Sequence, residues 1–143
     1  MTTGFLRTTR TADEALAARD VPRLEVPELG DPGYGVYEGR PLDAYRAWAS
    51  ASSSTDRPGG GESRIEVVTR YAAGLRILLA RPEATVLVVC HSLPISYLVS
   101  ARQGIPPQRR KAQAAHATVH PFTDEELDRA TTILEDWTCN PTW

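Results

Sequence analysis

Val86-Leu87-Val88-Val89-Cys90-His91 runs apolar or small for five residues and then stops at a histidine. The run is rich in β-branched side chains and too short for a helix, so it reads as a strand buried on both faces. Ser92, Leu93 and Pro94 follow, and Leu93 to Arg102 then carries helical spacing. A strand that ends in His and passes at once into a helix is an α/β arrangement. In open α/β sheets ligands bind outside the carboxyl ends of the strands, which puts His91 where such a fold keeps its chemistry. A core histidine satisfied by the backbone is the other reading of the same residue. The strand alone does not separate the two.

Upstream of the run, Ser63 and Glu66 form a Ser-x-x-Glu capping box, the signature of a helix start. Val67, Tyr71, Leu75, Leu78 and Leu79 stripe that helix, and Pro82 ends it. Before it, Ala51 to Gly61 is rich in Ser, Pro and Gly, and Pro41 to Ala49 has the look of a helix with Pro in its first turn. Pro27 to Pro41 is a turn-rich loop holding Gly33-Tyr34-Gly35-Val36-Tyr37-Glu38-Gly39. Val21 to Val26 is a short strand candidate interrupted by Pro22, and residues 5 to 18 read as a helix. Downstream, Gly104, Pro106 and Pro107 stop the helix after His91, and residues 108 to 116 are basic and irregular. Ala117 to Phe122 reads as an edge strand closed by Pro121. Thr123 and Glu126 make a second capping box, ahead of a helix striped by Leu127, Ala130, Leu134 and Trp137.

Helices alternate with strands, so the expected class is α/β with a mostly parallel sheet. There is no internal repeat and no linker, so residues 1–143 are expected to form a single domain. The chain opens on a helix, and two strands are thin for a sheet sandwiched by several helices. The expectation is therefore that a first strand is missing at the N-terminus.

A chain of 143 residues can bury roughly two-thirds of its unfolded surface. The formal charge of −2 supplies no basic field for nucleic acid. No apolar run approaches the ~20 residues that cross a bilayer, so no membrane partner is expected. Arg7, Arg10 and Asp13 interrupt any signal-peptide pattern. Cys90 and Cys139 are far apart, a pattern of reduced thiols in a cytoplasmic protein rather than a disulfide framework. Cys90 and His91 are neighbours on an extended segment and point to opposite faces, which argues against a joint metal site. Gly-x-Ser-x-Gly is absent around Ser92, so a serine-hydrolase reading is poor.

Four blocks in order carry a family resemblance. Phe5-Leu6-Arg7-Thr8-Thr9-Arg10-Thr11-Ala12 resembles the Leu-x-Arg-Ala-x-Gln-Thr-Ala helix start of the histidine phosphatase superfamily, the phosphoglycerate mutase-like proteins. Glu28 with Tyr34 to Gly39 resembles that family's Leu-x-Glu-x-x-x-Gly-x-Trp-Glu-Gly, although seven positions rather than four separate Glu28 from Gly35. Gly61-Glu62-Ser63 resembles its Gly-Glu-Ser helix entry, with Arg70 further along, and Val86 to Ser92 its Val-Leu-Val-Val-x-His-Gly strand. The sequence departs from the family in holding no Arg-His-Gly, whose histidine is the family's phosphorylated nucleophile. Arg10, Tyr37 and Ser92 stand where the pattern has Gln, Trp and Gly.

The resemblance implies a three-layer phosphoglycerate mutase-like fold, N-terminally truncated, with no cofactor and no metal. It implies Arg7 as a phosphate-pocket arginine, His91 as a donor to the transferring phosphoryl group, and Glu28 as the general acid and base. These three are expected to converge on one cleft. The implied partner is a small phosphorylated substrate, and the implied reaction is hydrolysis of a phosphate monoester through a phosphohistidine. This chain itself lacks the nucleophile and is expected to be inactive or nearly so. Phosphoglycerate mutase-type transfer and a non-catalytic anion-binding or interaction module are the alternatives.

Overall fold

Ser63 and Thr123 open the two longest helices by the same device. The hydroxyl of Ser63 accepts the Glu66 N–H, and the Glu66 carboxylate accepts the Ser63 N–H at 2.9 Å. Thr123 and Glu126 repeat the exchange. Two orphan donors at each helix start are thereby satisfied. In the computed structural model, which describes residues 1–17, 19–109 and 113–143, five α-helices follow one another: α1 Leu6–Ala15, α2 Leu42–Ala51, α3 Arg64–Leu79, α4 Ser92–Ala101 and α5 Asp124–Cys139. Short 3₁₀ turns at Pro27–Leu29 and Gly35–Tyr37 punctuate the loop between α1 and α2.

The core forms where α3, α4 and α5 meet. Val67, Val68, Tyr71, Ala72 and Leu75 of α3 join Tyr97 and Ala101 of α4 and Ala130, Leu134 and Trp137 of α5 in one buried cluster. Each fully buried side chain of this size is worth about 1.5–3 kcal/mol. At the rim, Arg76 of α3 forks onto Glu135 of α5 at 2.8 and 2.6 Å and also pairs with Asp128. Val26 and Leu29 bring the Pro27–Leu29 turn into the same cluster. Gly74 lets that turn lie on α3, since a Cβ there would come within 2.9 Å of the Glu28 Cβ. α2 sits on the Gly35–Tyr37 turn through an aromatic group of Tyr34, Tyr37, Tyr45 and Trp48.

The α/β class, with its three layers and mostly parallel sheet, is overturned: among the described residues there is no strand and no sheet. The Val86–His91 run is extended but pairs only through an isolated parallel bridge between Val89 and Thr2. A second isolated bridge joins Thr2 to Glu25 in the Val21–Val26 segment. Each contact holds two backbone hydrogen bonds. Met1 donates to the Leu87 carbonyl and Val89 to the Met1 carbonyl, while Thr2 donates to Leu24 and Val26 to Thr2. Neither ladder lengthens, because the shared segment ends after Thr3. Gly4 takes φ +79° and the chain turns into α1. Pro22 and Pro27 bracket the other segment, and proline has no N–H to give a ladder.

The 86–91 run is not buried on both faces either. Val88 and Cys90 pack on the core, while Leu87 is exposed. Residues 117–122 form no edge strand; Ala117 sits at φ +53° in a turn and Val119 is exposed. The helix expected over residues 5–18 ends at Ala15, and Ala18 lies outside the described residues. So do Arg110, Lys111 and Ala112, the centre of the basic 108–116 segment. No described helix is long and apolar enough to cross a membrane.

Candidate active site

Three segments bring polar side chains to one place. Arg7 stands in the first turn of α1, His91 is the residue capping α4, and Asp31 follows the Pro27–Leu29 turn. The Asp31 Oδ2 lies 3.1 Å from His91 Nδ1 and also pairs with Arg7 Nη2. Arg7 Nη2 is 3.0 Å from His91 Nδ1. Nδ1 therefore faces both the Asp31 carboxylate and the Arg7 guanidinium, and the ring's tautomer decides whether it donates to the first or accepts from the second. Thr3 Oγ1 lies 2.9 Å from His91 Nε2 and 3.1 Å from Thr8 Oγ1. The Thr8 hydroxyl donates to the Phe5 carbonyl at 2.8 Å, so its proton is committed there. Thr3 then donates to Thr8 and accepts from His91 Nε2.

His91, Thr3 and Thr8 are buried, and the Phe5 ring stands edge-on to the imidazole at 5.0 Å. Phe5 also lies under the Arg7 guanidinium at 4.6 Å, so one ring braces both side chains. Burial pushes the Asp31 carboxyl upward, but the hydrogen bond and charge of His91, with Arg7, outweigh it and hold the group below its ordinary value. Tyr34, nearby, is pushed up to about 12 by burial and then by the Asp31 charge, so its phenol stays a donor at neutral pH.

Arg70 of α3 shapes the loop that carries Asp31. It donates to the carbonyls of Glu28 at 2.7 Å, Gly30 at 3.2 Å and Asp31 at 3.2 Å. Glu62 holds Arg70 from behind, at 2.9 Å to Nε and 2.8 Å to Nη2, and takes the Gly33 N–H at 2.7 Å. Burial pushes the Glu62 carboxyl up, and Arg70 and that N–H bring it below its ordinary value. A cavity of about 410 Å³ opens beside the cluster. Pro32, next to Asp31, and Ser92, next to His91, line it together with Tyr45 and Arg64.

The structure thus brings Arg7 and His91 together. Glu28 is held differently: its carbonyl faces Arg70 and its Cβ faces Gly74. Among the described residues its carboxylate has no hydrogen bond or ion pair with Arg7 or His91.

The profile of the histidine phosphatase superfamily (branch 1) matches residues 1–135. The chain belongs to the histidine phosphatase superfamily. Comparison with curated proteins and with solved structures gave no match. Within a histidine phosphatase chain the position of Asp31 was open to sequence reading. The pattern Leu-x-Glu-x-x-x-Gly-x-Trp-Glu-Gly runs in unbroken register over Leu29, Asp31, Gly35, Tyr37, Glu38 and Gly39, with Asp for Glu and Tyr for Trp. The signal was the spacing of four to Gly35, which Glu28 does not meet. Arg70 and Glu62 were visible in the Gly-Glu-Ser block, but not as the pair that holds the Asp31 loop.

Proposed function

We propose that the Arg7–His91 pair binds the phosphoryl group of a small phosphate monoester. The observation behind the reading is that a guanidinium and an imidazole converge on a single carboxylate oxygen in a member of a phosphoryl-handling family. A phosphate dianion carries more charge than Asp31 and has three oxygens to spread over the same donors, with the guanidinium fork suited to a bidentate grip. In this reading Asp31, rather than Glu28, is the group that protonates the leaving oxygen. It is held ionised by its cationic partners. A bound phosphate takes those partners and adds negative charge beside it, and both changes push its carboxyl pKa upward, towards a working acid.

The resemblance assigns the nucleophile to an Arg-His-Gly histidine that this sequence does not hold. Loss of such a nucleophile costs on the order of 10⁶ in rate. The reading for this chain is therefore anion binding without appreciable turnover, since binding and chemistry are separate terms. Titration with inorganic phosphate, followed by calorimetry, tests it together with an aryl phosphate turnover assay. Phosphate should bind, Arg7→Ala and His91→Ala should each weaken it by at least tenfold, and the ester should remain intact. Phosphate affinity indifferent to both substitutions sinks the reading of the site. Turnover abolished by His91→Ala sinks the assignment of the nucleophile.

A further inference from the structure

Asp31 fills the position in which an anion would meet Arg7 and His91 together. Its Oδ2 pairs with Arg7 Nη2 and lies 3.1 Å from His91 Nδ1. The other ring nitrogen, Nε2, is already engaged by Thr3 at 2.9 Å. An anion arriving from solvent is left with the side of the imidazole that Asp31 faces. The site is occupied from within, by a carboxylate of the same chain.

Three observations show that this occupant is free to leave. The backbone beneath it is held independently of its side chain. Arg70 takes the carbonyls of Glu28, Gly30 and Asp31, and Glu62 holds Arg70, so the loop stays clamped whichever way the Asp31 carboxylate points. The position is also open to water. The Arg7 side chain is 57% exposed and that of Asp31 23%, so a ligand reaches the guanidinium and a displaced carboxylate reaches solvent. Finally, the grip is partial. Oδ2 engages one guanidinium nitrogen, and among the described residues Arg7 Nε and Nη1 hydrogen-bond to nothing.

We infer that Asp31 is a built-in competitor for the Arg7–His91 site and sets the threshold an anion must exceed to be held there. The inference rests on Arg7 and His91 forming the phosphoryl site, as proposed above. A tethered carboxylate acts at a fixed effective concentration, and the apparent affinity of every outside anion falls by the fraction of chains in which the site is open. A carboxylate from solution brings the same charge and the same two oxygens as Asp31, so it displaces Asp31 poorly. A tetrahedral dianion brings more charge and a third oxygen, enough to fork onto Arg7 and still face His91. The threshold therefore passes phosphoryl dianions at concentrations that leave monoanionic carboxylates unbound. The sign of one effect separates this role from a purely organising one. Removing an organiser of Arg7 and His91 weakens anion binding, whereas removing a competitor tightens it.

The test is calorimetric titration of the full chain with sulfate, a tetrahedral dianion at neutral pH, with acetate read by its competition against sulfate. Asp31→Ala and Asp31→Asn should each bind sulfate about tenfold or more tighter than the parent chain, and acetate should gain by a similar factor. Two variants are used because the Asn amide can itself donate to an anion, which Ala cannot. Glu28→Gln also removes a charge nearby, from a carboxylate with no bond to Arg7 or His91, and should leave both affinities within about twofold. Weaker or unchanged sulfate binding in both Asp31 variants makes Asp31 an organiser and overturns the inference. A gain for sulfate with none for acetate overturns it as well, because repulsion by a fixed neighbouring charge acts mainly on the dianion. The reading of the site is judged separately, by Arg7→Ala and His91→Ala in the parent chain: if these weaken phosphate binding, that reading stands even where the Asp31 variants fail. If sulfate binding is indifferent to Arg7→Ala in both the parent and the Asp31→Ala chain, the reading falls and the inference falls with it.

Discussion

Gly35 is where the loop over the site is pinned, and Gly35→Ala should be among the most damaging single-methyl additions in the chain. Its φ is +55°, in the left-handed region, where an L side chain costs about 1–2 kcal/mol. Space is the second cost. An added Cβ would run into the Gly59 carbonyl oxygen, and would sit 2.6 Å from the Gly61 nitrogen and 2.9 Å from the Pro58 oxygen. All three are backbone atoms, so no side chain can swing away, and overpacking of this kind costs about 1–3 kcal/mol. The sum is about 2–5 kcal/mol. Gly39→Ala is the control: its φ is +72°, but nothing lies within 4 Å of the added methyl, so only the conformational cost of about 1–2 kcal/mol applies. With a urea m-value near 2 kcal/mol/M, Gly35→Ala should lower the midpoint by about 1–2.5 M and Gly39→Ala by at most about 1 M. The same loop carries Asp31, and it is tied down by Val36 N–H to Gly59 O at 2.8 Å and Glu62 N–H to Gly33 O at 3.0 Å. Equal midpoints for the two variants would refute the crowding argument, and with it the claim that residues 33–36 are seated directly on residues 58–61.

Arg70→Met should cost about 2–3 kcal/mol by denaturation, below the ~3–5 kcal/mol of breaking a fully buried pair, because Arg70 and Glu62 remain about a quarter to a third exposed. It should weaken phosphate binding as well, whereas Glu28→Gln should leave phosphate binding unchanged in calorimetry. Asp31→Asn should flatten the acid limb of the stability curve: a carboxyl held below its ordinary 3.8 contributes stability that is complete above that value and is lost as pH falls through its folded pKa. Urea midpoints from pH 7 to pH 2 should therefore show the variant less stable at neutral pH and the difference closing in acid. Burial pushes the Cys90 thiol up to about 11, while Cys139 is exposed. Iodoacetamide at pH 8 should label one thiol in the native chain and two in urea, as counted by mass spectrometry.

How much of the fold was written locally can be judged from where reading succeeded. Ser63–Glu66 and Thr123–Glu126 are exchanges between residues three apart, and both form as their spacing says. The stripes Val67–Tyr71–Leu75 and Ala130–Leu134–Trp137 need only helical geometry to face one way, and they supply most of the core. Strand identity is another kind of property. Val86 to Val89 has the side chains of a strand and adopts an extended backbone, but a strand exists only when a neighbour offers a row of partners. That row is one residue long here, Thr2, because Gly4 turns the chain away. Nothing within 86–91 could report the length of its partner. The alternation of helix and strand was thus inferred from propensity, while sheet formation depended on residues more than eighty positions away.

The site divides along the same line. Arg7 and His91 sit in blocks whose pattern is contiguous, and they meet in space. Glu28 was favoured for its side chain, since the family pattern asks for Glu, and the price was a register broken by three residues. Asp31 keeps the register and gives up one methylene. A shorter carboxylate reaches the same partners only if the backbone comes closer, and the structure shows how it does. Arg70 draws in the carbonyls of residues 28, 30 and 31, and Gly30 passes closely, its would-be Cβ 3.0 Å from the Pro27 oxygen and 3.3 Å from Phe5, so that a side chain there would have to push its neighbours back. Phe5 in turn braces both Arg7 and His91. The change from Glu to Asp and the close approach at Gly30 are therefore two halves of one arrangement. Spacing relative to a backbone anchor such as Gly35 was the better guide to the carboxylate that meets Arg7 and His91 than the identity of the acidic residue.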